Sequence, residues 1–280
     1  MQKMKKNIRK TANRILSPMG LEISRVGMNN DNQEYLSLVK LYSGLVSEIE
    51  GYFKEFIDKK YVIEKKRTSL LCKLLGTEIS EALYIIKSLK NTQGLYGDIC
   101  EFGIAQGATS ALMANEIFPS NKNIWLFDSF EGLSRPTKED VLIDDISGLG
   151  SMERYEGLMS VGDHSVKNKM KEINFPDDRI KIIPGFICDT IKRDDLPTKV
   201  SFAYVDFDFY EPIKLALEFL DITLEENGEI IIDDYGFFSA GAKTAVDEFV
   251  ARHVGKYEIL ESYQFAGHFA ILKKRNEKVD

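Results

Sequence analysis

The chain has 280 residues, three cysteines and a formal net charge of −7. That length suits one large α/β domain with an appendage, and the acidic balance excludes general nucleic-acid binding, which needs a basic face. Cys72, Cys100 and Cys188 are widely spaced and form no CxxC pattern. They predict neither a disulfide framework nor a zinc site; with no apolar run of membrane-spanning length and no signal peptide, a cytoplasmic protein is expected.

Positive charge is concentrated at the start, where Lys3, Lys5, Lys6, Arg9, Lys10 and Arg14 precede the first acid, Glu22. Met4, Ile8, Ala12 and Ile15 recur at helical spacing, so residues 1–30 read as a basic arm with a short amphipathic helix ended by Pro18 and Gly20. Such a helix can lie on an anionic membrane surface, and the same pattern serves an oligomer arm or a solvated tail.

Residues 31–93 predict a helical extension. Asp31 and Glu34 are spaced as a capping box, and Tyr35, Leu38, Tyr42, Leu45, Ile49, Tyr52 and Phe56 form one apolar helical face. A second helix is expected from about Ser69 to Leu89, with Leu70, Leu71, Leu74, Leu75, Ile79, Leu83 and Ile86 on its apolar face. These helices are expected to cover an active site or to join copies in a homo-oligomer.

Residues 94–280 alternate strand and helix signals in the βαβ manner of a parallel sheet. Strands are predicted at Asp98–Phe102, Asn123–Phe127, Ile180–Ile183, Ser201–Val205 and Glu229–Ile232, with Tyr257–Leu260 and His268–Leu272 as the closing pair. The long polar stretch between the second and third strands, about 129–162, reads as a lid or binding loop.

The first strand runs into the small-residue turn from Glu101 through Gly103 and Gly107 to Ser110. Glycines there let the backbone approach a ligand closely. The spacing is not G-x-G-x-x-G, so no dinucleotide fingerprint is present. Asp128 ends the second strand, where an acid binds ribose hydroxyls in nucleotide-binding sheets; it is equally placed to cap the following loop.

The fourth predicted strand closes in Asp206 and Asp208, and the fifth in Asp233 and Asp234. Carboxyl ends of parallel strands are where such sheets bind ligands. Carboxylates gathered at neighbouring strand ends repel one another unless a cation joins them, and all-oxygen ligation suits Mg2+, with Mn2+ as a substitute. Asp is also a common helix N-cap. His164 is expected to begin a helix and His268 to begin a strand, while Arg135 and Arg154 in the loop could meet a phosphate.

Glu101-Phe102-Gly103, the phrase from Leu126 to Leu133, Val205-Asp206-x-Asp208-x-Tyr210-Glu211 and Ile232-Asp233-Asp234-Tyr235-Gly236 together resemble the macrocin O-methyltransferase family. The resemblance covers about residues 94–273. It implies a Rossmann-like class I methyltransferase sheet, mostly parallel with a closing antiparallel strand. It also implies S-adenosylmethionine and Mg2+ as cofactors, and methylation of a hydroxyl on a sugar or glycosylated small molecule whose vicinal diol chelates the metal. Carried over by position, Asp206, Asp233 and Asp234 match the metal ligands, Asp208 the general base, and Glu101, Gly103 and Asp128 the cofactor-binding positions, to which Gly107 and Ser110 of the same turn are added as expected cofactor contacts. Catechol O-methyltransferase uses a Lys base just beyond its first metal ligand, and here that place holds Phe209. Two other readings stay open at this point: an NAD-linked sugar oxidoreductase, and a non-catalytic metal-binding module of a glycan pathway.

Overall fold

The structure is a computed structural model that describes residues 31–262 and 267–276. The basic arm lies outside the described residues, as do the side chains of the Asp31 and Glu34 capping pair. The chain divides into two units, with the boundary after Leu45 inside the first helix. The unit that begins at Val46 carries the sheet.

The elements of the described chain, in order, open with α1 (Asp31–Phe56), α2 (Lys65–Leu71), α3 (Ile79–Thr92), β1 (Asp98–Phe102), α4 (Ala108–Ile117) and β2 (Ile124–Asp128). There follow α5 (His164–Glu172), β3 (Ile180–Pro184), the short α6 (Ile187–Thr190), β4 (Val200–Val205) and α7 (Tyr210–Thr223). The last elements are β5 (Leu224–Ile232), α8 (Ala240–Arg252), β6 (Tyr257–Leu260) and β7 (Ala270–Lys274). The sheet runs β3-β2-β1-β4-β5-β7-β6. β1 to β5 are parallel, and β7 lies antiparallel between β5 and β6. The strand order reverses between β1 and β4, and that crevice at the carboxyl edge is where a doubly wound sheet takes its ligand.

β4 is buried along its whole length, which is why Val200-Ser201-Phe202-Ala203-Tyr204-Val205 carries no alternation. One core cluster joins Phe102, Phe127, Val205 and Ile232 to Ile213, Leu217 and Leu220 of α7 and Val246 and Phe249 of α8. Those apolar contacts fix the strand ends from one face.

Two helical expectations need correction. The run from Ser69 to Leu89 is two helices, because the chain turns between Cys72 and Glu78 with Gly76 at φ +96°. Glycine adopts that left-handed backbone without a Cβ penalty. The buried face of α1 within the sheet-bearing unit is Val46, Glu50 and Phe53, one step round from the predicted stripe, whose Tyr52 and Phe56 are exposed. A polar residue decides the difference: Glu50 is buried because Tyr61 Oη and Thr68 Oγ1 donate to its two oxygens at 2.7 and 2.6 Å. Predicted strand ends hold to within one or two residues, His268 falling two before β7, apart from the start of β5 at Leu224.

Arg67 of α2 is fastened to Glu116 of α4 by a two-pronged ion pair at 2.7 and 2.6 Å, with both side chains buried. Removing one partner of such a pair strands the other charge. Arg67→Met should therefore lower unfolding free energy by about 3–5 kcal/mol in a denaturant titration. The double variant Arg67→Met/Glu116→Leu should recover most of it; a double variant as unstable as the single one would show that the pair itself is needed.

Candidate functional site

The turn after β1 is shaped from three sides. Asp128 Oδ2 accepts from the backbone N–H of Ile104 at 2.7 Å and of Ala105 at 3.3 Å. Its Oδ1 accepts from Phe130 N–H at 2.6 Å. Asp128 thus holds both the turn and the first residues of the loop after β2. A carboxylate offers about four acceptor positions, so capacity for a ribose hydroxyl remains. Gly103 has φ +85°, and a Cβ there would come within 1.8 Å of the Asp206 carbonyl oxygen. The close approach of the β1 turn to the end of β4 therefore requires glycine. Gly107, at φ +77°, begins α4 against Val166, whose Cβ an added methyl would meet at 2.7 Å.

Inside this turn, two buried polar atoms have no hydrogen-bond partner, Glu101 Oε2 and Ser110 Oγ. Buried groups of this kind are rarely left unpaired without reason, and both face the cofactor-binding expectation for their positions. Burial pushes the Glu101 carboxyl up to about 8, the Asp128 charge adds to the rise, and the Ser110 hydroxyl opposes it.

At the neighbouring strand ends, one carboxylate oxygen from each of Asp206, Asp208 and Asp234 lies within 4.8 Å of the other two. β4 and β5 place them there, since Val205 pairs with Ile232 in register and the acids follow directly. Asp208 and Asp234 sit in left-handed backbone, at φ 62° and 55°. Asp tolerates that region, at some cost, and such residues gather at functional sites. All three carboxyls are raised: by burial first, then by Asp233 and Asp234 for Asp206, by Asp234 and Asp206 for Asp208, and by Asp233 for Asp234, which reaches about 7. The site reaches the cofactor turn, because Glu101 and Asp128 also raise Asp206. Three converging, mutually repelling oxygens fit a hard divalent cation.

Asp233 stands outside this group of three. Its Oδ2 accepts from Tyr204 Oη at 2.9 Å, and its Oδ1 from the backbone N–H of Asp234 at 2.8 Å. Near it is Glu81 of α3, a residue not singled out from the sequence, whose carboxyl is pushed up by burial first and then by the Asp233 charge. Glu81 is 2 % exposed, and its Oε1 has no partner. The legible signal was an acid amid the buried apolar residues Ala82, Leu83, Ile85 and Ile86 of one short helix.

The loop at about 129–162 builds a small core of its own. Met152 and Tyr155, on a single 3-10 turn, pack with Phe209 and Phe238, which flank the two acidic strand ends. His164 begins α5, while His268 stacks on Phe237 with ring centroids 4.7 Å apart. Arg154 Nη1 donates to Leu149 O, within the loop, and Arg135 is exposed.

Because burial raises Glu101, the stability that a neutral carboxyl permits is present at low pH and is lost as pH rises through about 8. Glu101→Gln carries no charge at any pH. The cofactor-free variant should keep thermal stability between pH 6 and pH 9 that the parent loses. Equal pH slopes in a melting series would show that Glu101 is neither buried nor raised as described.

No curated protein sequence matches the chain. The family described as Macrocin-O-methyltransferase (TylF) matches residues 74–265, more than half of the chain. Among solved structures, the O-methyltransferase NovP superposes with a TM-score of 0.61 at 20 % identity, over 85 % of this chain and 100 % of that one. The calicheamicin methyltransferase CalS11 gives 0.55 at 17 % identity, over 90 % and 99 %. The S-adenosylhomocysteine-bound methyltransferase PaMTH1 of Podospora anserina gives 0.51 at 13 % identity, over 91 % and 100 %. These structures share the fold, and the family match leaves no place for the NAD-linked or non-catalytic readings. Matched by the family over more than half of its length, the chain belongs to the macrocin O-methyltransferase family of S-adenosylmethionine-dependent enzymes.

Proposed function

We propose that this enzyme methylates a hydroxyl of a sugar, free or carried on a nucleotide or natural product, with the help of a divalent cation. The observation that carries the reading is the convergence of Asp206, Asp208 and Asp234 beside the cofactor turn. Support for a sugar acceptor comes from the family, and from CalS11, whose structure is described as a TDP-rhamnose 3'-O-methyltransferase. Neither names the acceptor of this chain.

S-adenosylmethionine supplies an electrophilic methyl on a sulfonium, and a hard cation lowers the pKa of a hydroxyl it touches. Asp206 and Asp234 are the residues that hold the cation; two carboxylates suffice for Mg2+, which keeps water or substrate oxygens in its other positions. Asp208 would accept the proton that the acceptor hydroxyl gives up. Its left-handed backbone directs a carboxyl oxygen to the same place as the two ligands. Glu101, Ser110 and Asp128 would hold the cofactor, and holding donor and acceptor together would supply much of the remaining rate. Asp233, turned to Tyr204 and Glu81, orders the Asp234 turn through the bond it accepts from that residue's N–H.

Amide substitutions separate these roles. Asp206→Asn should weaken the cation, and raised Mg2+ should recover part of the rate. Asp208→Asn should keep cation and cofactor binding but lose about 10²–10⁴-fold in turnover. Recovery of Asp208→Asn at high Mg2+ would make Asp208 a ligand instead. Asp233→Asn should cost less cation affinity than Asp206→Asn; a larger loss would return Asp233 to the ligand set.

On the cofactor side, Asp128→Ala should weaken S-adenosylmethionine by about 1–3 kcal/mol, the range for a charged hydrogen-bond partner. Calorimetry showing unchanged affinity would remove Asp128 from that site.

A further inference from the structure

Asp140 lies in the loop between β2 and α5, and is 5 % exposed. A buried carboxylate is tolerated only when its oxygens are supplied with donors. Asp140 Oδ1 accepts from the backbone N–H of Tyr210 at 2.8 Å and from Ser239 Oγ at 3.0 Å. Its Oδ2 accepts from Thr137 N–H at 2.7 Å and from Thr137 Oγ1 at 3.0 Å. Tyr210 is the first residue of α7, two beyond Asp208, and Ser239 is the N-cap of α8, five beyond Asp234. One oxygen of one side chain therefore ties together the two segments that carry the converging carboxylates.

The local packing is built around that oxygen. Ser239 Oγ, while donating to Asp140, accepts from Gly241 N–H at 2.9 Å. A Cβ on Gly241 would stand 1.9 Å from Asp140 Oδ1 and 2.8 Å from Tyr210 N, so the approach admits glycine alone. The loop is pinned on the same line by Ala240 N–H donating to Val141 O at 2.9 Å and Ile143 N–H donating to Phe238 O at 3.0 Å. Asp140 also brings negative charge to the N-terminus of α7, where the helix dipole favours it.

We propose that Asp140 is a positioning residue for the cation site: it locks the turn after β4 to the segment after β5, so that Asp206, Asp208 and Asp234 are held at binding distance despite their repulsion. The inference rests on the cation-assisted reading above. It makes the loop part of the metal-binding apparatus as well as a cover. Residues that orient a metal's ligands typically matter 10–100-fold in affinity.

The test is Mn2+ titration of the full chain by calorimetry or electron paramagnetic resonance, with S-adenosylhomocysteine binding measured in parallel. Asp140→Ala should weaken Mn2+ by about 10–100-fold and leave S-adenosylhomocysteine within about threefold, because Glu101, Ser110 and Asp128 belong to β1, α4 and β2. Asp140→Asn keeps an amide oxygen for Tyr210 N–H and Ser239 Oγ but sets its NH2 against Thr137 N–H, so it should lose clearly less Mn2+ affinity than Asp140→Ala, and an equal loss would overturn the proposal. If Asp140→Ala does not fold, Ser239→Ala removes one of the two links and should show a smaller loss with the same selectivity for Mn2+. Unchanged Mn2+ affinity, or equal losses of Mn2+ and S-adenosylhomocysteine, would overturn the proposal. A parent chain that binds no divalent cation would overturn both this inference and the cation-assisted reading, whereas a parent that binds and variants that match it overturn this one alone.

Discussion

Electrostatic repulsion at the carboxyl edge of β4 and β5 is the constraint on which the rest of this structure depends. Parallel pairing of Val205 with Ile232 makes the acids that follow neighbours, whatever else the chain does. Burial and mutual charge raise Asp206, Asp208 and Asp234 together, so the arrangement is costly until protons or a cation offset it. Two of the three also occupy left-handed backbone. A fold keeps such an arrangement only if its surroundings overdetermine it. The core cluster beneath the strand ends, the glycine-only contact of Gly103 with Asp206 and the Asp140 joint are what overdetermine it here.

The cofactor turn shows the same economy in milder form. Asp128 satisfies the N–H groups of Ile104, Ala105 and Phe130, which a turn with no internal partners would leave bare. The ordering of the turn and the presentation of an acid to a ligand are thus one feature. Ser110 and Glu101 keep unpaired atoms beneath it.

Much of this was legible in the sequence, for physical reasons. Strand ends were readable because buried parallel strands leave continuous apolar runs, as in Ile230-Ile231-Ile232, and the acids after them stand out against that background. The family phrases sit in those same places, so motif and periodicity agreed. What stayed hidden depends on pairing across distance. The buried face of α1 was misplaced because Glu50 looks like a surface residue until Tyr61 and Thr68 supply its partners. The break at Gly76 was missed because apolar spacing continues across it. Asp140 sits in a polar loop beside Lys138 and Glu139, where nothing local distinguishes it from a solvated acid.

Three acids converge at these strand ends although the sequence supplies four, and beside the fourth lies Glu81. It comes from α3, outside the strand-end pattern, and meets Asp233 from the side of the helical extension. Tyr204 Oη and the Asp234 N–H donate to the two oxygens of Asp233, which lies outside the group of three. Four free carboxylates around one small ion would exceed what a divalent charge offsets, while three leave room for oxygens from water and substrate. α3 therefore does more than pack against β4 and β5. Through Glu81 it brings a further acid to the strand ends, and the buried Arg67–Glu116 pair fixes α2 against α4.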